Sequence, residues 1–202
     1  MLQRIRPILD RPFFYEFYHK LIGANYRTRV LINEYIRPQV GERILDIGCG
    51  PGNLVPFLPQ CRYLGVDANP SYITAARRRY SHRGEFVCER VSHHNVQELG
   101  AFDLVLALGL VHHLDDQEAD DLFRLGYAAL RNGGRMITMD GCYTSGQSRT
   151  ERYLLSRDRG QFVRSLEEYV ELARAWFQNV NAQLRMDVLR IPYTHVFLEC
   201  VR

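Results

Sequence analysis

The feature that most restricts this chain is a glycine-rich turn set directly after a short apolar stretch. Ile44-Leu45-Asp46-Ile47 runs into Gly48-Cys49-Gly50-Pro51-Gly52. A buried strand that ends in such a turn, with helices and strands alternating after it, is the opening of a parallel sheet covered on both faces.

The rest of the chain fits that opening. Residues 62–66 read as a second apolar strand closed by Asp67. Asn69 then offers an N-cap oxygen and Pro70 a pre-set first helical residue, so a helix is predicted to about Tyr80. Strands are predicted over 85–89, 102–108 and 135–139. A helix starts at Asp115 or Asp116 and carries Ala119, Leu122, Phe123, Gly126, Ala129 and Leu130 at helical spacing. Asn132-Gly133-Gly134 stops it. Ser165-Leu166-Glu167-Glu168 resembles a capping box opening a last helix that ends near Phe177. Residues 184–190 and 194–201 then form two strands whose three-residue link permits only an antiparallel hairpin, since a parallel crossover needs a dozen residues or more. The expected fold is α/β: a Rossmann-like, mostly parallel seven-stranded sheet with helices on both faces and a C-terminal antiparallel hairpin.

With 202 residues the chain is long enough for one domain, 1–202, and short for two. Within it, residues 1–40 are expected to form an N-terminal helical cap, aromatic-rich over 12–36 and ended by Pro38 and Gly41. No apolar run approaches the ~20 residues of a membrane span, and residues 1–7 lack the pattern of a signal peptide. The expectation is a cytoplasmic protein without membrane contact. Lys20 is the single lysine, so nearly all the positive charge is arginine. The guanidinium fork suits phosphate and carboxylate recognition, but the arginines are scattered, which fits a GC-rich coding bias better. The five cysteines show no C-x-x-C pair, and no metal site is expected.

The turn reads Gly48-x-Gly50-x-Gly52. A dinucleotide site would place its third glycine at 53, where this chain has Asn53. Asp67 stands where an acid can accept hydrogen bonds from both hydroxyls of a ribose. The alternative for Asp67, capping the next helix, is better served by Asn69. Taken together, Asp46-Ile47-Gly48-Cys49-Gly50-Pro51-Gly52 resembles the first motif of class I S-adenosylmethionine (SAM)-dependent methyltransferases, and Asp67 resembles their ribose-binding acid. Phe102-Asp103-Leu104-Val105 through Val111-His112-His113-Leu114 is similar to their fourth-strand motif. Leu130-Arg131-Asn132-Gly133-Gly134 is similar to the turn before strand five. The likeness covers roughly 41–140 and is greatest for the small-molecule branch that includes ubiquinone and menaquinone biosynthesis methyltransferases.

The resemblance implies SAM as cofactor, with Asp46, Gly48, Cys49, Gly50, Asp67, Ala68 and Leu108 around it. Family members often carry an aspartate after strand three that reaches the adenine amino group. Here Arg90 takes that register, and a guanidinium accepts no hydrogen bond. Glu89 in a shifted register, or the amide of Val91, are the substitutes. Methyl transfer from a sulfonium is an in-line displacement, so most of the catalysis is positioning. A base is needed only where the acceptor must lose a proton. His112 and His113, after strand four, are candidates for that base, and Tyr143 is a third catalytic candidate. His93 and His94 are weaker ones.

The 141–164 link holds Arg149, Arg152, Arg157, Arg159 and Arg164 and is a candidate lid. Arg157 and Arg159 would hold a carboxylate or phosphate of the substrate, or the segment is simply an exposed amphipathic helix. Tyr15, Tyr18 and Phe14 of the N-terminal segment are candidates to face the sulfonium. The expected partner is a small molecule, an anionic one if the arginines serve it, and no nucleic acid, with the protein a monomer or homodimer. Two other readings stay open. A nucleic-acid methyltransferase would carry an Asn-Pro-Pro-Tyr-like motif where Leu108-Gly109-Leu110-Val111 stands, and a non-catalytic SAM binder differs only in turnover.

Overall fold

The computed structural model describes residues 28–90, 101–157 and 160–202. Tyr15, Tyr18, Phe14, Val91, His93, His94 and Arg159 lie outside the described residues. Strands β1 (Arg43–Ile47), β2 (Arg62–Asp67), β3 (Gly84–Cys88), β4 (Phe102–Leu108), β5 (Leu130–Tyr143), β7 (Asn179–Arg185) and β8 (His195–Val201) form one sheet in the order β3-β2-β1-β4-β5-β8-β7. A two-residue strand β6 (Arg164–Ser165) pairs beside the end of β5. Strands β1 to β5 are mutually parallel, whereas β8 runs antiparallel to both β5 and β7.

The chain thus builds outward from β1 to β3, then returns to the other side of β1 as β4. That reversal opens a crevice between the C-terminal tips of β1 and β4, the place where open α/β sheets take ligands.

Among the described residues, helices α1 (Pro70–Tyr80), α2 (Asp116–Ala129), α3 (Arg149–Ser156) and α4 (Leu166–Arg174) cover the sheet. Each starts where the sequence supplies an N-cap. Asn69 accepts from the Ser71 amide at 2.9 Å, Asp115 and Glu118 form a capping box, as do Ser165 and Glu168, and Ser148 caps α3. Helices α2 and α4 bury Phe123, Ala119, Tyr169 and Phe177 against one face of the sheet. On the other face, α1 and a π-helix, Leu31–Ile36, bury Ile73, Ala76, Tyr35 and Ile36 against Leu104, Ile137 and Phe197. The π-helix ends in a left-handed Arg37, and its last carbonyls, of Tyr35 and Ile36, are taken by Arg135 of β5 at 3.3 and 2.7 Å. No described helix is long and apolar enough to cross a membrane.

Two expectations about the hairpin are corrected. The hairpin uses 179–185, not 184–190, for its first strand, with Asn179 opposite Val201 and Arg185 opposite His195. The link is therefore 186–194, and its buried Val188 belongs to the core rather than to a strand. The reversed strand β8 is not the sheet edge but lies between β5 and the edge strand β7. Between β1 and β2 no α-helix forms, only a 3-10 turn at Val55–Phe57. Pro51, Pro56 and Pro59 leave too few amide donors for a longer helix there.

Candidate active site

The glycine turn lies at the tip of β1. Gly48, Gly50 and Gly52 adopt φ of 76°, 55° and 76°, a left-handed region that disfavours side chains. Amides of Gly48 and Cys49 donate to the Val66 carbonyl at 2.7 and 3.1 Å, strapping the turn to the tip of β2. A Cβ on Gly50 would meet nothing within 4 Å, so the space over the turn is open. Leu110, from the loop after β4, packs on Gly48 and forms the opposite wall.

Asp67 closes this arrangement. Its Oδ2 accepts from the Gly50 amide at 2.9 Å and its Oδ1 from the Asn69 amide at 2.8 Å. One carboxylate thus ties the turn after β1 to the opening of α1. Two of its roughly four acceptor directions are used, leaving capacity for the two hydroxyls of a ribose. That geometry fits SAM. Ala68 is exposed beside Asp67, and Leu108 is half-buried at the tip of β4.

Asp46 lies deeper, only 3% exposed, and its Oδ2 accepts from the Tyr63 hydroxyl at 2.6 Å. Burial pushes its carboxyl up to about 6, the Tyr63 bond opposes the shift, and the charge of Asp67 adds to it. Burial also holds the Cys49 thiol far above its ordinary range, so it lines the turn as a neutral, apolar group. Sequence reasoning missed Tyr63. Its signal was a tyrosine inside an otherwise aliphatic strand, where a buried hydroxyl needs a partner.

Glu89 and Arg90 follow β3 and are both exposed. Arg90 stands 3.5 Å from Glu118 in the first turn of α2, so the tip of β3 faces the start of that helix.

The two histidines after β4 separate. His113 is exposed. His112 is 7% exposed, and its Nδ1 lies 2.8 Å from Asp140 Oδ1, which also accepts from the His112 backbone amide at 3.2 Å. Gly160 presses on the same ring: a Cβ there would stand 2.1 Å from His112 Cδ2. The Phe162 amide donates to the His112 carbonyl at 3.0 Å. Sequence reasoning missed Asp140 as well, although an acid closing an apolar strand at the sheet's ligand-binding end is the same signal that singled out Asp67.

The arginines of the 141–164 link divide too. Arg164 is buried and donates to the carbonyls of Val111, Phe162 and Leu114 and to Asp116. It holds the histidine loop in place, which removes it from the arginines expected to meet a substrate. Arg157 caps the end of α3 and lies exposed, its guanidinium 5.4 Å from the centre of the Tyr153 ring. Arg152 lies at the same distance from the ring of Tyr143, which is half-buried at the end of β5. Among the described residues no cluster of His, Cys, Asp or Glu has metal-binding geometry.

Comparison with known proteins agrees with this geometry. Residues 44–134 match a family described as a methyltransferase domain. Phosphoethanolamine N-methyltransferase 1 of Triticum aestivum is 26% identical over 155 residues, which is 74% of this chain and 31% of that protein. The ubiquinone biosynthesis O-methyltransferase of Azorhizobium caulinodans is 37% identical over 112 residues, 52% of this chain and 40% of that protein. This chain therefore spans less than half the length of these two relatives. The apo structure of the SAM-dependent methyltransferase SibL superposes with a TM-score of 0.69 at 18% identity, covering 94% of this chain and 58% of that one, a likeness of fold. Motif, sheet order and family match coincide over one stretch: residues 44–134 are similar to a methyltransferase domain, and the sheet that carries them has the fold of SibL.

Proposed function

We propose that the protein transfers a methyl group from SAM to a small-molecule acceptor, with His112 as the base where the acceptor must lose a proton. The observation that carries this reading is Asp67, whose carboxylate bridges the glycine turn and the start of α1 beside the crevice. When bound, SAM supplies a methyl group already activated on a sulfonium. The chain's own work is then to grip, orient and take up a proton. Gly48, Gly50 and Asp67 hold the nucleoside and its amino-acid tail, and Glu89 serves the adenine, or else the amide of Val91 does. His112 takes the acceptor's proton on Nε2, the nitrogen turned away from Asp140. SAM held by Gly48, Gly50 and Asp67 would supply the methyl group to the acceptor that gives up this proton, and would leave as a neutral thioether.

The exposed Arg157, with Arg149 and Arg152 on the same short helix, supports an anionic acceptor. The phosphoethanolamine enzymes act on such a phosphate-bearing amine by name. Tyr143, Tyr15, Tyr18 and Arg159 complete the proposed acceptor side. On this reading the protein works in the cytoplasm as a monomer or homodimer.

The test has two stages. Calorimetry with S-adenosylhomocysteine must show binding that Asp67→Ala abolishes or severely weakens. Release of S-adenosylhomocysteine is then measured with phosphoethanolamine, with catechol and with RNA. Turnover with a small acceptor that His112→Gln suppresses supports the proposal. Turnover with RNA alone, or none with any acceptor, removes it.

A further inference from the structure

The two edges of the sheet are finished differently. At one edge the Arg77 guanidinium donates to the Phe86 carbonyl of β3 from Nε and Nη2, at 2.9 and 2.6 Å, so part of that edge is already spent. At the other edge, β7 pairs with β8 along its whole length. Among the described residues, no group outside that ladder bonds to the backbone of 179–185. A row of amides and carbonyls left this way is a template for another strand.

Nothing in β7 blunts that edge. The strand contains no proline and no lysine, and its pairing with β8 runs without a bulge. Its single charge, Arg185, stands at the end and is bound to Glu34 and Asp187. Beside that end, Leu184 and Met186 are 38% and 67% exposed.

We propose that the open edge of β7 pairs antiparallel with β7 of a second copy of this chain, making a two-fold homodimer whose two sheets run on into one. The strand's own sequence selects this partner. Asn179-Val180-Asn181-Ala182-Gln183-Leu184-Arg185 has nearly the same side-chain character read in either direction about Ala182. Centred there, Val180 faces Leu184 of the second copy, Asn181 faces its Gln183 and Asn179 its Arg185. Directly opposed residues share a face of an antiparallel pair. Apolar side chains therefore meet apolar ones on the face where Val180 and Ala182 already pack against the core, and carboxamides meet carboxamides on the other.

This register alone pairs the whole strand. It also keeps the two Arg185 side chains at opposite ends, about 20 Å apart. A two-fold contact of this kind closes on itself, so the assembly stops at two copies. The proposal goes beyond the methyl-transfer reading and does not rest on it, since β5 and β8 lie between β4 and the contact.

The test is the mass of the full chain by light scattering after size exclusion, across the micromolar range. Twice the 23.6 kDa of one chain is expected. Two double variants then read the register. Asn181→Glu with Gln183→Glu sets like charges opposite each other twice across the two-fold, and should weaken the dimer roughly tenfold. Asn181→Lys with Gln183→Glu sets opposite charges there and should restore it. Both keep an oxygen at 183 to accept from the Tyr35 hydroxyl, and circular dichroism checks that both fold. A monomer at every concentration, a dimer that the two-acid variant leaves intact, or one that the lysine–glutamate variant fails to recover overturns the proposal. If either variant misfolds, hydrogen exchange of the native chain decides: amides within 179–185 must slow as concentration rises, and unchanged rates overturn it equally.

Discussion

The two halves of the crevice are built differently. On the β1–β2 side, Asp46, the glycine turn, Asp67 and Asn69 come from one continuous stretch, and their contacts join neighbouring strand tips. On the β4–β5 side, His112 depends on Asp140 and on Gly160, Phe162 and Arg164, from two later parts of the chain. On the proposed reading the first half is a local motif that grips the cofactor. The second is a tertiary assembly, and this is where an acceptor would be told apart from others.

That contrast is sharpened by variants on either side. The largest effect is expected from Asp67→Ala. Losing two charge-assisted bonds to a ribose, at about 1.5–3 kcal/mol each, should weaken SAM binding by at least 10²-fold in calorimetry, a larger effect than the apo protein's loss of the Gly50 and Asn69 amide bonds. A large loss of apo stability instead would make Asp67 chiefly a structural strap.

Arg164→Ala should do the reverse. Three carbonyls lose their donor, and a loss of about 3 kcal/mol is expected, read as a lower denaturant midpoint. SAM affinity should fall far less than in Asp67→Ala. Equal losses in both variants would mean the two halves are not separable.

Asp46 gives a pH test of the cofactor side. Its folded value of about 6 lies above the ordinary 3.8, so the folded state holds an extra proton between those values. Its contribution to stability is therefore full below about pH 4 and is lost as pH rises through 6, by up to about 3 kcal/mol. Relative to Asp46→Asn, the native protein should lose stability over that window in chemical denaturation. A flat difference would remove the buried charge from the account.

The smallest effect belongs to Arg157→Ala on the acceptor side. An exposed cation contributes about 0.2–1 kcal/mol, so severalfold in the KM of an anionic acceptor is expected, with no change in SAM affinity. An unchanged KM would take Arg157 off the acceptor surface.

What the sequence made legible follows the same divide. Strands β1, β2 and β4, the N-cap Asn69 and the acid Asp67 are written in short-range signals, namely apolar runs, turn glycines and capping residues. The hairpin was misplaced because β7 is an edge strand. Asn179 and Asn181 are exposed along it, Gln183 accepts from the Tyr35 hydroxyl, and Val180 and Ala182 pack against the core. The more apolar stretch that follows was the stronger lure, although Val188 is buried there as part of a link. The pairing of Asp140 with His112 and the anchoring of Arg164 could not be read locally, because the partners stand tens of residues apart in the chain and meet only through the tertiary fold.

The two backbone amides on Asp67 have a thermodynamic meaning. Folding has already oriented that carboxylate, so a nucleoside arriving over the open face of Gly50 meets an acceptor that need not search for its rotamer. The side-chain ordering entropy that association usually forfeits is, at this residue, already lost before the ligand comes.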